Sequence, residues 1–180
     1  NMFPTYPEFW IWYIRDELNA NNQDLAQKLF YRCLPIVPDV ALFQHYLEYV
    51  TATCTDKQQI CAAYEYALSN VGLDMDAKSI YMQYVEFAQI AGNEIVSVEH
   101  LRRIYHRALL IPMNGLNEIL AHYENWEKSK SRELANKLIP EQERHFKATA
   151  NVYHKKKKYH EPLKCELHSI EQGGFDSLHR

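Results

Sequence analysis

The chain has 180 residues, 47% of them hydrophobic and 13% aromatic, with a formal net charge of -3. That is one ordinary domain or a short array, long enough to bury a sizeable core. Its 5 glycines and 7 prolines include neither GxxxxGK[ST] nor GxGxxG, which excludes the standard phosphate-cradling loops, and no apolar run approaches the roughly 20 residues of a membrane span.

The start NMFPTYPEFW does not read as a signal peptide. From there the apolar residues recur at helical spacing and not alternately. Trp10, Tyr13, Ile14, Glu17 and Leu18 fall at i, i+3, i+4, i+7 and i+8, one face of a first helix. Thr5 with Glu8 reads as a capping box, and Pro7 suits the first turn. NANN (19–22) ends that helix. A second is expected over 23–34, with Ala26, Leu29, Phe30 and Cys33 on one face, stopped by Pro35 and Pro38. LFQHYLEYV then places Phe43, Tyr46 and Val50 at offsets 0, 3 and 7, and QQICAAYEYALSNVG follows, with Gly72 expected as its C′ residue. Asp74 and Asp76 read as helix caps. IYMQYVEFA repeats the offsets with Tyr81, Tyr84 and Ala88, followed by EHLRRIYHRALLIP and a stop at Pro112. LAHYENWEKS does so with Leu120, Tyr123 and Glu127, followed by SRELANKLIPEQERHF, a long helix expected to bend near Pro140.

The offset-zero residues Trp10, Phe43, Tyr81 and Leu120 are 33, 38 and 39 positions apart. Two helices per unit at that period predict an all-α solenoid, in which stacked antiparallel hairpins bury stripes that none can bury alone. The expected layout is a repeat domain over 1–160, in about four pairs (5–34, 39–72, 76–111 and 116–160). Residues 161–180 form a tail or the start of a further repeat.

Trp10, Tyr13 and Glu17 on the first helix of a unit, with Ala26, Leu29, Phe30 and Arg32 on the second, resemble the HAT repeat, the half-a-TPR motif of RNA-processing proteins. RRIYHRALLIP carries the fullest second-helix match, with Ile104, Tyr105, Arg107, Ala108, Leu109 and Pro112. The departures are Leu120 in place of an aromatic, Tyr66 in place of Arg, and no Glu in the second and third units. Within HAT proteins, FPTYPEFWIWYIRDEL, AQKLFYRCLPIVPDVALFQHYLEYV, LRRIYHRALLIPMNGLNEILAHYENWEKS and ELANKLIPEQERHF are similar to the N-terminal HAT domain of the family of cleavage stimulation factor scaffold subunits. That resemblance implies a nuclear, non-enzymatic scaffold in pre-mRNA 3′-end cleavage and polyadenylation, with other subunits of that machinery as partners. Family members are longer and dimerise through later repeats, so this chain, without an initiator Met, reads as a monomeric N-terminal fragment. Splicing or ribosome-assembly scaffolds share the repeat and differ in their partners.

The residues divide into structural and candidate contact sets. Trp10, Tyr13, Glu17, Phe30, Arg32, Tyr46, Tyr84, Tyr105, Arg107, Pro112, Tyr123 and Glu127 are expected to serve the repeat motif. Trp10 and Tyr13 are read as core, because Asp16 and Glu17 beside them repel phosphate. Trp12 lies about 160° off their face and either packs on a second neighbour or joins an exposed patch. Glu17 and Arg32 are expected to pair and lock the first hairpin. No catalytic, metal or cofactor site, membrane contact or small-molecule substrate is expected: the nine histidines form no HExxH, and the four cysteines form no CxxC and fit free thiols in cytosol or nucleus. One feature is not required by helix packing. Residues 1–130 hold 10 basic and 16 acidic side chains, whereas residues 131–180 hold 10 and 7. Arg144, Lys147, Lys155, Lys156, Lys157 and Lys158 are therefore candidate contacts to a partner or to RNA, with a solvated helix end as the plainer reading.

Overall fold

A computed structural model describes the backbone of residues 5–176 and the side chains of residues 5–159. These residues form helices and connectors, with no strand among them. The helices are α1 (Pro7–Asn19), α2 (Gln23–Cys33), α3 (Val40–Thr53), α4 (Lys57–Val71), α5 (Lys78–Ala91), α6 (Val98–Leu109), α7 (Leu116–Lys130) and α8 (Arg132–Asp176). No described helix is long and apolar enough to cross a membrane. The chain divides into two compact units, Asn1–Ala108 and Leu109–Arg180.

In the first unit, α1 packs on α2 and on α3, α3 on α4, and α4 on α5. Ala26, Leu29, Phe30 and Cys33 are the buried residues of α2, the face expected from their spacing. Phe43 and Leu47 from α3, Ala67 and Leu68 from α4, and Tyr81 and Tyr84 from α5 continue that interior. Rings interleave along it. Phe30 meets Tyr46 at 5.5 Å and Tyr49 at 5.4 Å, and Tyr64 stacks on Tyr84 at 4.9 Å, with planes 5° apart. Offset stacking of this kind adds about 0.5–1.5 kcal/mol per pair to the area buried.

Helix ends follow local chemistry, though not always as expected. Asp39 Oδ1 accepts from Leu42 N and Asp56 Oδ1 from Gln58 N, each at 2.9 Å, so both aspartates cap their helices. The Thr5–Glu8 capping box does not form: α1 begins at Pro7 with Tyr6 as N-cap and no side-chain bond. Proline supplies the helical φ there and has no N–H to satisfy. Asn21 closes the α1–α2 turn at φ 60°, where its short polar side chain is tolerated. Gly72 is the right-handed C-cap of α4, at φ -65° and ψ -16°, and not a left-handed C′ residue. A Cβ there would lie 2.2 Å from the Leu68 carbonyl oxygen, so the position excludes a side chain for steric reasons. Asp74 Oδ1 accepts from Asp76 N at 2.8 Å, which organises a turn, while the N-cap of α5 is Ala77.

In the second unit, α7 packs on α8. Gly115 opens α7 at φ 73°, a conformation that disfavours a Cβ. Leu116, Ile119, Tyr123, Trp126 and Glu127 form its buried face. Tyr153 of α8 donates from its hydroxyl to Asn114 Oδ1 at 2.7 Å and fixes α8 to the segment before α7. Helix α8 runs through Pro140 without an assigned break.

Candidate functional site

The motif side chains act on one another. The Arg32 guanidinium lies 5.7 Å from the centre of the Trp10 ring. In the third pair, the Arg107 guanidinium lies 5.8 Å from the centre of the Tyr81 ring. In the second pair, where Tyr66 replaces the arginine, its ring meets Phe43 at 5.8 Å. Trp10, Phe43 and Tyr81 are the offset-zero residues of their units, so the same clamp recurs three times: one side chain of the second helix laid over the lead aromatic of the first. The Tyr66 ring is tilted 51° to Phe43 and meets Tyr46 nearly edge-on at 6.4 Å, so it takes the arginine's place by ring packing and without a charge.

This corrects the expected Glu17–Arg32 lock. Glu17 Oε2 instead accepts from Asn22 Nδ2 at 2.8 Å, inside the turn that ends α1. Its contact is local to that turn, and Arg32 locks the hairpin through Trp10. Tyr13 is also corrected. It is 42% exposed, and Ile14 is the buried residue of α1. The reason is periodicity: Ile14 lies about 100° further round, toward the side on which α2 and α3 pack. Trp12 is 68% exposed and shares the outer side with Phe9, which decides its two readings for the exposed patch.

Arg107 has a second partner. Its Nη1 donates to Glu65 Oε2 of α4 at 2.9 Å, and Glu65 Oε1 lies 3.6 Å from His100 Nε2. That imidazole nitrogen is 3.1 Å from the Tyr84 hydroxyl. Thus α4, α5 and α6 meet at one polar cluster rimmed by a shallow recess of about 340 Å³, lined by Glu65, His100, Arg103, Ile104 and Arg107. Burial opposes the Arg107 charge, but the hydrogen bond and attraction to Glu65 outweigh it, and the pKa is raised. Burial also pushes the Tyr81, Tyr84 and Tyr105 hydroxyls above their usual range, and the Tyr64 hydroxyl up to about 12. None of these hydroxyls is poised to ionise near neutrality. Glu65 and His100 were not legible as site residues. Arg107 lies 42 positions beyond Glu65, and no short-range spacing encodes that pairing.

The other motif residues are placed individually. Phe30, Tyr84, Tyr105, Tyr123 and Glu127 are buried, Tyr46 is half-buried beside Phe30, and Pro112 follows α6. Cys33 is a buried free thiol whose pKa is pushed up to about 11 by burial, the opposite of an activated nucleophile. Cys54 and Cys61 are free and half-buried, and the Cys165 side chain lies outside the described residues. Among the described residues, no group of three or more His, Cys, Asp or Glu side chains is arranged to hold a metal. On α8, Arg144, Lys147, Lys155, Lys156 and Lys158 are exposed, while Lys157 lies over the Tyr153 ring at 5.9 Å.

Paired helices clamped through a lead aromatic define the class: an all-α HAT-repeat solenoid. A solved structure agrees, since the crystal structure of CstF-77 superposes with a TM-score of 0.73 at 24% identity, over 84% of this chain and 34% of that one. The sequence model of the Suppressor of forked protein (Suf) family matches residues 1–176, and the chain belongs to that family. Cleavage stimulation factor subunit 77 of Arabidopsis thaliana is 28% identical over 97% of this chain and 25% of its own length. Protein suppressor of forked of Drosophila melanogaster is 29% identical over 89% of this chain and 22% of its own. The mRNA 3′-end-processing protein rna14 of Schizosaccharomyces pombe is 31% identical over 77% and 20%. The chain therefore spans about a quarter or less of these relatives.

Proposed function

We propose that the chain is a non-enzymatic assembly module of the nuclear machinery that cleaves and polyadenylates pre-mRNA 3′ ends, and that other subunits of that machinery are its partners. The observation that carries this reading is the family match over residues 1–176, with relatives described as mRNA 3′-end-processing proteins or as a cleavage stimulation factor subunit. Physical support comes from how the motif is used. The motif cations Arg32 and Arg107 are held against Trp10, Tyr81 and Glu65. This pairing ties helices of the array to one another, and burial keeps the neighbouring tyrosines protonated at neutral pH. The layout of four helix pairs over residues 1–160 belongs to the same proposal, as does a monomeric state for this chain.

The test is affinity capture of the tagged 180-residue chain from nuclear extract, read by cross-linking mass spectrometry. The proposal expects 3′-processing subunits to be enriched over a scrambled-surface control, with cross-links to the chain. Enrichment of splicing or ribosome-assembly proteins in their place would overturn it.

A further inference from the structure

We propose that α8 carries a contact track for single-stranded RNA, formed by Arg144, Lys147, Lys155 and Lys158 with Tyr159. The sequence alone leaves four consecutive lysines distributed around a helix. The structure divides them. Ala135, Ile139, Gln142 and Thr149 are the buried residues of α8, and Tyr153 and Lys157 lie on the same side. Successive 100° steps place Arg144, Lys147, Lys155 and Lys158 within an arc of about 80°, centred roughly opposite that buried side. All four are exposed. Lys157 is drawn away onto Tyr153, so the run does not simply spread its charge.

The track has the length and chemistry of a strand-binding surface. Arg144 and Lys158 are about 21 Å apart along the helix axis, at 1.5 Å per residue. No acidic residue occurs between positions 144 and 159. Tyr159 is 68% exposed, about 40° from Lys155 and about 100° from Lys158 around the axis, where a base can stack on its ring. Cations that follow a backbone beside an exposed aromatic are how single strands are held without base-specific readout. An acidic protein segment would use the cations and has no use for the ring.

The experiment measures binding of a mixed-sequence single-stranded 12-nucleotide RNA to the 180-residue chain by fluorescence anisotropy between 50 and 200 mM salt. Four phosphate contacts give a log–log salt slope of about -3, hence a loss of about 50-fold across that range. Arg144→Glu with Lys155→Glu flattens the slope to about -1.5. Lys156→Glu makes the same charge change as Lys155→Glu one residue on, outside the arc, and leaves the slope unchanged. Tyr159→Ala lowers affinity by about 5- to 150-fold at unchanged slope. Circular dichroism of each variant shows that helix content is retained. Absence of binding at 50 mM salt, equal effects of Lys155→Glu and Lys156→Glu, or equally tight binding of a poly-glutamate peptide would each overturn the proposal. Protein capture by the chain is read separately, so the assembly reading survives or fails on its own.

Discussion

Removal of Arg32 tests what holds the first helix pair together. Its guanidinium sits 5.7 Å from the centre of the Trp10 ring, while Glu17 is engaged with Asn22. A cation over an aromatic face near solvent contributes about 0.5–1 kcal/mol. In a double-mutant cycle, Arg32→Ala and Trp10→Leu should therefore couple by about that amount, since leucine keeps an apolar body and removes the quadrupole. The cycle of Arg32→Ala with Glu17→Ala should give coupling near zero. Urea unfolding followed by far-UV circular dichroism supplies the free energies, with a constant m-value as the check that only stability changed. The coupling corresponds to about 1–4 °C in Tm for a chain of this size. Coupling to Glu17 above about 0.5 kcal/mol with none to Trp10 would refute the clamp and restore the ion-pair lock.

Other outcomes follow from the same contacts. Tyr66→Arg should be tolerated within about 0.5 kcal/mol in urea unfolding, because arginine at that position clamps the lead aromatic in the neighbouring units. Trp126→Ala, at a site 6% exposed, should cost about 3–5 kcal/mol, whereas Trp12→Ala, at one 68% exposed, should change stability by less than about 0.5 kcal/mol. The chain should also lose stability in alkali. Cys33 titrates from 9.0 up to about 11 and Tyr64 from 10.0 up to about 12, both raised by burial. An acid whose pKa is raised by folding favours the native state below its unfolded pKa, and this contribution fades as pH climbs through the folded value. Urea midpoints should therefore be flat in this respect below pH 9 and fall between pH 9 and 12, and Cys33→Ser should remove part of that fall.

The repeat was legible because helix periodicity and the 33–39-residue period are local and additive along the chain. The α2 face of Ala26, Leu29, Phe30 and Cys33 shows it directly, since one stripe of spacing becomes one buried stripe. Side-chain partners were less legible. Glu17 and Arg32 occupy motif positions of opposite charge, so the sequence invites an ion pair, but Asn22 offers Glu17 a nearer donor and Trp10 offers Arg32 a face. Tyr13 satisfies helical spacing and is still exposed, because spacing defines a face without saying which side of it neighbours cover. The Glu65–His100–Arg107 cluster joins α4 to α6, and only the packing of α4, α5 and α6 brings those residues together. On α8, rotation about the axis sorted a lysine run that composition alone left undivided.

On the proposed reading, this chain assembles 3′-end processing factors. The most direct measurement is cleavage of a model pre-mRNA in nuclear extract supplemented with excess purified chain. Occupying the partner surfaces of the endogenous scaffold should reduce cleavage in a dose-dependent way, and washing the chain out on a tag should deplete processing subunits from the extract. Cleavage unchanged at every concentration, with those subunits left in the extract, would contradict it.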